Sequence, residues 1–168
     1  AAAETALWAT RLNAAMLGAG TLRLAKAGPV EALPGYDEGA WWVQDAAAAI
    51  PARVLLSLIG GGAGKSIADL CAAPGGKTMQ LAASGAQVTA IDSSGPRLKR
   101  LEANLVRTEL SAATIKADIR TWTPAAPFDA VLLDIKMPVM DGWEAARLIR
   151  ASQHPDAQKV ALLALSAN

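Results

Sequence analysis

Cysteine and histidine are nearly missing from this sequence of 168 residues, which holds one of each, Cys71 and His154. A single cysteine excludes an internal disulfide and every multi-cysteine zinc site. A single histidine argues against a histidine-ligated metal and against a Ser-His-Asp triad, so no metal site is expected. Charge of one sign is also lacking: 16 Lys and Arg against 15 Asp and Glu leave +1, and no strong field points to nucleic acid or membrane. No apolar run reaches the ~18 residues of a membrane span, and the opening segment, with Glu4 and Arg11 in it, does not read as a signal peptide. What is abundant is apolar surface, 52% of residues, enough for a chain of this length to build a buried core. The expectation is a cytoplasmic globular domain without membrane contact.

Residues 4–17 read as a helix, with Trp8, Leu12, Ala15 and Met16 on one stripe and Gly18 and Gly20 to stop it. A short strand can follow at residues 21–24, and residues 28–39 are turn-rich. Asp45 can cap a helix over residues 46–59, which Pro51 must kink or open. From Ser66 onward, short apolar runs at residues 67–71, 88–91, 114–116, 130–133 and 160–165 alternate with helical spacing at 77–84, 96–109 and 142–152. That alternation predicts a mostly parallel, doubly wound α/β sheet with helices on both faces. Arg97, Lys99, Arg100 and Arg107, interleaved with Glu102 and Glu109, read as a solvated helix face rather than an RNA contact.

The segment from Asp69 to Thr78, DLCAAPGGKT, runs from a strand through Gly75 and Gly76 into a helix opening at Lys77. Glycines let a ligand approach the backbone, and a helix N-terminus presents unpaired N–H groups. Asp92 ends the next strand, where a carboxylate can accept hydrogen bonds from a ribose diol; Asp118 and Asp134 follow the third and fourth. The spacing points to a site for a nucleoside-containing cofactor; the bland alternative is a tight turn with solvated strand-end aspartates. Neither GGGAGKS at residues 60–66 nor CAAPGGKT at 71–78 is a P-loop, because Ile59 and Cys71 stand where the first glycine belongs.

LPGYDEGAWWVQDAAAAIPARVLL (33–56), DLCAAPGGKT (69–78), VTAIDSS (88–94), KADIRTW (116–122) and FDAVLLD (128–134) together resemble the Sun/Fmu-type 16S rRNA cytosine-5 methyltransferases. The resemblance implies a Rossmann-like domain that binds S-adenosylmethionine (AdoMet). Carried over, Cys71, Ala72, Ala73, Pro74, Gly75, Gly76 and Lys77 would hold the methionine part, Asp92 the ribose and Asp118 the adenine. Asp134 would lie near the sulfonium and amino group. In that family Ala-Pro-Cys-Ser follows the last of these aspartates, and the cysteine attacks C6 of cytosine; here Ile135-Lys136-Met137-Pro138 follows.

Residues 128–168, with LLDIKMPVMDGWEAARLIRAS and VALLALSAN, resemble instead a CheY-like response-regulator receiver. That likeness implies Asp134 as phosphoacceptor, Ser166 as the strand-end hydroxyl, and a helix opened by Asp141 with Glu144. The receiver's acidic pair for Mg²⁺ is missing after the first strand, and its lysine would lie beyond Asn168.

Both resemblances share FDAVLLD, and the expectation drawn from this is an engineered chimera. A Rossmann-like methyltransferase half would join a flavodoxin-like receiver half in one sheet of order 3-2-1-4-5. Residues 1–65 would form an N-terminal helical extension, 66–134 the AdoMet-binding half, and 135–168 the receiver-derived helix and strand. Such a chain is expected to lack catalytic turnover, with no catalytic residue assigned, and AdoMet binding is the activity it can retain. RNA binding would be weak or lost, and the chain a monomer or a dimer through its open sheet edge. The alternatives are an AdoMet-dependent rRNA cytosine-5 methyltransferase and a phosphorylatable receiver.

Overall fold

The computed structural model describes residues 2–18, 20–26, 28–134, 142–152 and 157–165. Residues 135–141, His154 and Ser166, on which the receiver comparison partly rests, lie outside the described residues. The chain divides into two compact units, Ala1–Trp42 and Val43–Asn168.

The first unit opens with helix α1 (Ala2–Arg11), shorter than the helix expected over residues 4–17. Asn13 takes a left-handed φ of 48°, and β1 (Ala15–Gly18) pairs antiparallel with β2 (Thr21–Arg23). Ala15 and Met16 suit either period, and strand pairing with Arg23 and Leu22 decides between them. Within this unit the Tyr36 and Trp41 rings lie 5.7 Å apart, and the Trp41 indole N–H donates to the Pro34 carbonyl (2.9 Å).

The second unit begins with a turn in which Asp45 Oδ1 accepts from the N–H of Ala47 (2.7 Å) and Ala48 (3.3 Å). Helix α2 (Ile50–Leu58) starts only after it, with Pro51 in its first turn, where the missing N–H costs no hydrogen bond. The sheet follows: β3 (Ser66–Leu70), α3 (Gly76–Ala83), β4 (Gln87–Asp92), α4 (Gly95–Arg107), β5 (Ala113–Lys116), β6 (Ala130–Asp134), α5 (Gly142–Ala151) and β7 (Ala161–Leu165). All five strands pair in parallel, in the order β5-β4-β3-β6-β7. The expected numbering 3-2-1-4-5 did not count the hairpin β1–β2, which precedes the sheet and shifts every strand number. The chain moves outward from β3 through β5, then returns to β3's other side with β6. The reversal falls between β3 and β6, where open α/β sheets bind ligands at their carboxyl ends.

Strand alternation divides the core. Ile67, Val88, Ala130 and Leu132 pack with Ala52, Leu55 and Leu81 of α2 and α3; Ala68, Leu70, Ile91, Val131 and Leu133 pack with Ala145 of α5. Helix α4 buries Leu98, Leu101 and Leu105 at helical spacing and leaves Val106 81% exposed.

Two contacts fix the β3–α3 junction. Gly75, at φ 112°, ends the turn and caps α3; a Cβ there would sit 2.5 Å from Leu101 Cδ1. Asp69, fully buried in β3, accepts a 2.7 Å hydrogen bond from Thr78 Oγ1 in the first turn of α3. Its other oxygen, Oδ1, has no hydrogen-bond partner among the described residues. Burial pushes the Asp69 carboxyl above its usual range, although Lys77 and the Thr78 hydroxyl pull it down.

Gly75→Ala is expected to lower stability by about 1–3 kcal/mol, from left-handed strain and the collision with Leu101, read by urea unfolding. The raised Asp69 pKa means that the folded state holds this proton more tightly than the unfolded chain. Its contribution to stability is therefore full below the ordinary value of 3.8 and is lost as pH rises through the folded pKa. Asp69→Asn should remove that loss, so unfolding curves of the variant and wild type should diverge in the variant's favour from pH 4 toward pH 7. A constant difference across that range would refute the linkage.

Candidate functional site

The turn after β3 is built to stand close to the end of β4. The N–H groups of Cys71 and Ala72 both donate to the Ile91 carbonyl (2.8 and 3.0 Å), with Cys71 at a left-handed φ of 76°. The N–H of Ala73 donates to Asp92 Oδ2 (3.2 Å), and the N–H of Ser94 to Asp92 Oδ1 (2.9 Å). The Ala73–Pro74 peptide is cis, and Gly75 and Gly76 lead into α3. Asp92 is only 2% exposed, so its carboxylate depends on these donors.

Arg97, in the first turn of α4, completes the arrangement. Its Nη2 donates to the Ala73 carbonyl, and its Nη1 lies 3.5 Å from Asp92 Oδ2. The expectation of a solvated face is therefore corrected at this position: Arg97 is turned onto the β3–α3 turn, while Lys99 and Arg100 are exposed. Four residues separate it from Asp92, and the short loop at Ser93 and Ser94 returns the helix start over the strand end.

On the other side of β3, Lys77 Nζ lies 3.4 Å from Asp134 Oδ2, a partly buried pair joining the start of α3 to the end of β6. Cys71 is half-buried, and burial followed by the Asp92 carboxylate pushes its thiol pKa up, which keeps it protonated and a poor nucleophile. Asp118 is placed differently. It is an exposed carboxylate gripped by Arg120, whose Nε lies 2.9 Å from Oδ1 and 3.0 Å from Oδ2. Hydrogen bonds from the Arg120 side chain and backbone hold its pKa down to about 2. The segment stays beside β4, because the N–H of Ala117 donates to the Asp92 carbonyl (3.2 Å).

The structure thus brings Cys71 to Lys77, Asp92 and Asp134 to the carboxyl ends of β3, β4 and β6, and leaves Asp118 at the margin with its oxygens taken. Sequence reasoning missed Arg97, Thr78 and the pair formed by Gln44 and Gln80 (3.3 Å), which braces the middle of α3. One signal was available: Asp69 is a charged residue inside an apolar strand, which requires a buried partner. A groove of about 730 Å³ lined by Trp143, Arg147, Arg150 and Leu162, among others, belongs to α5 and β7 and holds none of the candidate residues.

Residues 59–157 match the family described as 16S rRNA methyltransferase RsmB/F. Ribosomal RNA small subunit methyltransferase B of Citrobacter koseri is 41% identical over 140 residues, 80% of this chain and 30% of that protein. Its Vibrio cholerae counterpart is 42% identical over 132 residues, 76% of this chain and 28% of that one. The chain therefore spans about 30% of the length of these curated relatives. Among solved structures, NSun6 from Pyrococcus horikoshii with SFG superposes at a TM-score of 0.55 with 26% identity, covering 66% of this chain and 29% of that one. A methyltransferase homologue from the same organism, at TM-score 0.66 and 24% identity, covers 77% and 46% and shows the same fold.

These matches overturn the expectation of an engineered chimera without turnover. The family model continues past Asp134 to residue 157, through most of the stretch that resembles a receiver. The physical reason for the misreading is that an apolar parallel strand ending in aspartate, then an amphipathic helix, suits any doubly wound sheet. With the strand-end site on one sheet and the family match running across it, the chain belongs to the RsmB/F family of 16S rRNA methyltransferases.

Proposed function

We propose that this chain is the AdoMet-binding part of an rRNA methyltransferase, and that it takes the cofactor in the crevice at the ends of β3, β4 and β6. The observation that carries the reading is the convergence of the glycine turn on Asp92, whose carboxylate is linked to the turn through the Ala73 N–H. The residues present fit the group. Asp92 Oδ1 accepts one described hydrogen bond and has an acceptor position to spare, and Asp134 supplies negative charge beside Lys77. AdoMet supplies an electrophilic methyl group on a sulfonium centre. Asp92 would accept the ribose hydroxyls, the backbone from Cys71 to Gly76 would hold the methionine part, and Asp134 would lie toward the positive charge. Asp118 would reach the adenine only after yielding contacts to Arg120.

The acceptor is proposed to be ribosomal RNA, as the names of the relatives indicate, which goes with a cytoplasmic place of work. No helix among the described residues is long and apolar enough to cross a membrane. Transfer to C5 of cytosine needs a thiolate adduct at C6. The only thiol in this sequence is Cys71, in the cofactor turn and with a raised pKa.

Calorimetric titration should show AdoMet binding that Asp92→Ala weakens by about tenfold or more, given hydrogen bonds to a charged group worth ~1.5–3 kcal/mol. No heat from a folded wild-type sample would reject the cofactor site. Incubation with methyl-labelled AdoMet and unmodified 16S rRNA should place label in the RNA, and Asp92→Ala should abolish it. A nucleoside digest then names the acceptor: 5-methylcytidine would bring Cys71 into the chemistry, whereas another methylated nucleoside would place the methyl on an atom nucleophilic by itself. Unlabelled RNA would reject the transfer activity.

A further inference from the structure

We infer that the β7 margin of the second unit is a twofold interface, where a second copy of this chain sets its own β7 antiparallel to the first and joins two five-stranded sheets into one. The inference is independent of the cofactor reading and uses none of its residues.

All three layers of the fold present apolar surface at the same edge. β7 pairs with β6 on one side and with no strand on the other among the described residues. Its sequence, Ala-Leu-Leu-Ala-Leu, holds none of the charges or prolines that protect an edge strand, and its register with β6 is unbroken, so no bulge turns it away. On one face lies the groove of about 730 Å³ between α5 and β7, lined by Leu162 and Ala164 and also by Leu163, which packs on the other face of the sheet. Trp143 of α5 lines the same groove and is 62% exposed. On the opposite face α2 packs over β6 and β7. Its Ile50, Val54 and Leu58 recur at every fourth residue and are all exposed, Leu58 by 68%. Leu56 marks the α3 side of this helix, because it and Ser84, at the end of α3, crowd Gly62. The exposed stripe lies about 120–160° round the helix from Leu56, on the side of the sheet margin.

A second copy fits this margin because a twofold axis beside Leu163 matches each layer with its own kind. Antiparallel pairing about that axis sets Leu163 opposite its counterpart and lets the free backbone donors and acceptors of the two edges meet. Helix α5 then lies beside α5 and α2 beside α2, each antiparallel, on opposite faces of the joined sheet. The stripe of Ile50, Val54 and Leu58 meets the same stripe. Charge agrees with this arrangement. Helix α5 carries Glu144 in its first turn and Arg147 and Arg150 toward its end, so the antiparallel pair brings the acidic end of one helix to the basic end of the other. A lone peptide strand would pair with β7 but would leave the α2 stripe in water.

The test is sedimentation velocity of the 168-residue chain from about 1 to 200 μM, for wild type, Leu58→Asp, Trp143→Asp and Val106→Asp, with circular dichroism as the fold control. Wild type is expected to pass from monomer to dimer over that range and to stop there, since a pairing of like surfaces closes. Leu58→Asp and Trp143→Asp, one on each face of the sheet, should each raise the dissociation constant about tenfold or more, because each sets a carboxylate in an apolar contact. Either variant carries the test if the other fails to fold. Val106→Asp should leave the constant unchanged, although Val106 is more exposed than Leu58 or Trp143, because α4 packs on β4 and β5 at the far side of the sheet. A monomer at every concentration would overturn the interface and leave the margin to a different partner. Assemblies that grow beyond the dimer, or a dimer that both margin variants leave intact, would overturn it as well. Equal weakening by Val106→Asp would mean unspecific apolar association and would also sink it.

Discussion

A carboxylate buried at the end of β4 is the constraint around which the second unit is arranged. A charge with almost no water must be met by donors, and an unmet one costs several kcal/mol. Asp92 meets this demand from three separate segments: hydrogen bonds from the Ala73 N–H in the turn after β3 and the Ser94 N–H in the loop after β4, and an ion pair with Arg97 of α4. Each donor ties its segment to the strand end. The β3–α3 turn, the β4–α4 loop and the first turn of α4 are thus held together by one side chain, and the crevice takes its shape from that agreement.

The same economy governs the other side of the turn. Gly75 is needed there twice over, for its left-handed φ and because Leu101 fills the space a side chain would take. Asp69 and Thr78 then lock the first turn of α3 to the middle strand, at the expense of one carboxylate oxygen without a donor among the described residues. A buried polar group left partly unsatisfied is tolerated where the surrounding strands over-determine its position. Asp69 stands on the central strand, hydrogen-bonded on both sides to β4 and β6, which is such a place.

Much of this was legible in the residues. The inner strands β3, β4 and β6 declare themselves as short buried apolar runs, and the edge strands β5 and β7 also lie within a residue or two of the runs read from the sequence. The turn and its aspartates were legible because glycine and strand-end carboxylates are rare enough to count. Ala15 and Met16 were misread, since four residues fit a helix stripe and a hairpin strand equally well and only the partner strand decides. Arg97 was misread for a different reason. Its neighbours Leu98, Leu101 and Leu105 mark the buried face of α4, and no periodicity tells that a residue one position off that face reaches over a strand end. The receiver likeness of residues 128–168 was real as a pattern and misleading as ancestry, because it lies where the two folds impose the same demands.

Under the proposed function, the pairing of Lys77 with Asp134 decides where affinity can come from. The sulfonium charge is what separates AdoMet from its demethylated product, and a lone carboxylate at the end of β6 would hold the donor far more tightly than the product. Lys77, 3.4 Å away and partly buried with it, cancels much of that field. The attraction left for the sulfonium is small, and donor and product would be held with similar strength. Affinity must then rest on the parts the two molecules share: the amino-acid end, the ribose and the adenine. That places the burden on the turn from Cys71 to Gly76 and on Asp92, the carboxylate joined to that turn through the Ala73 N–H.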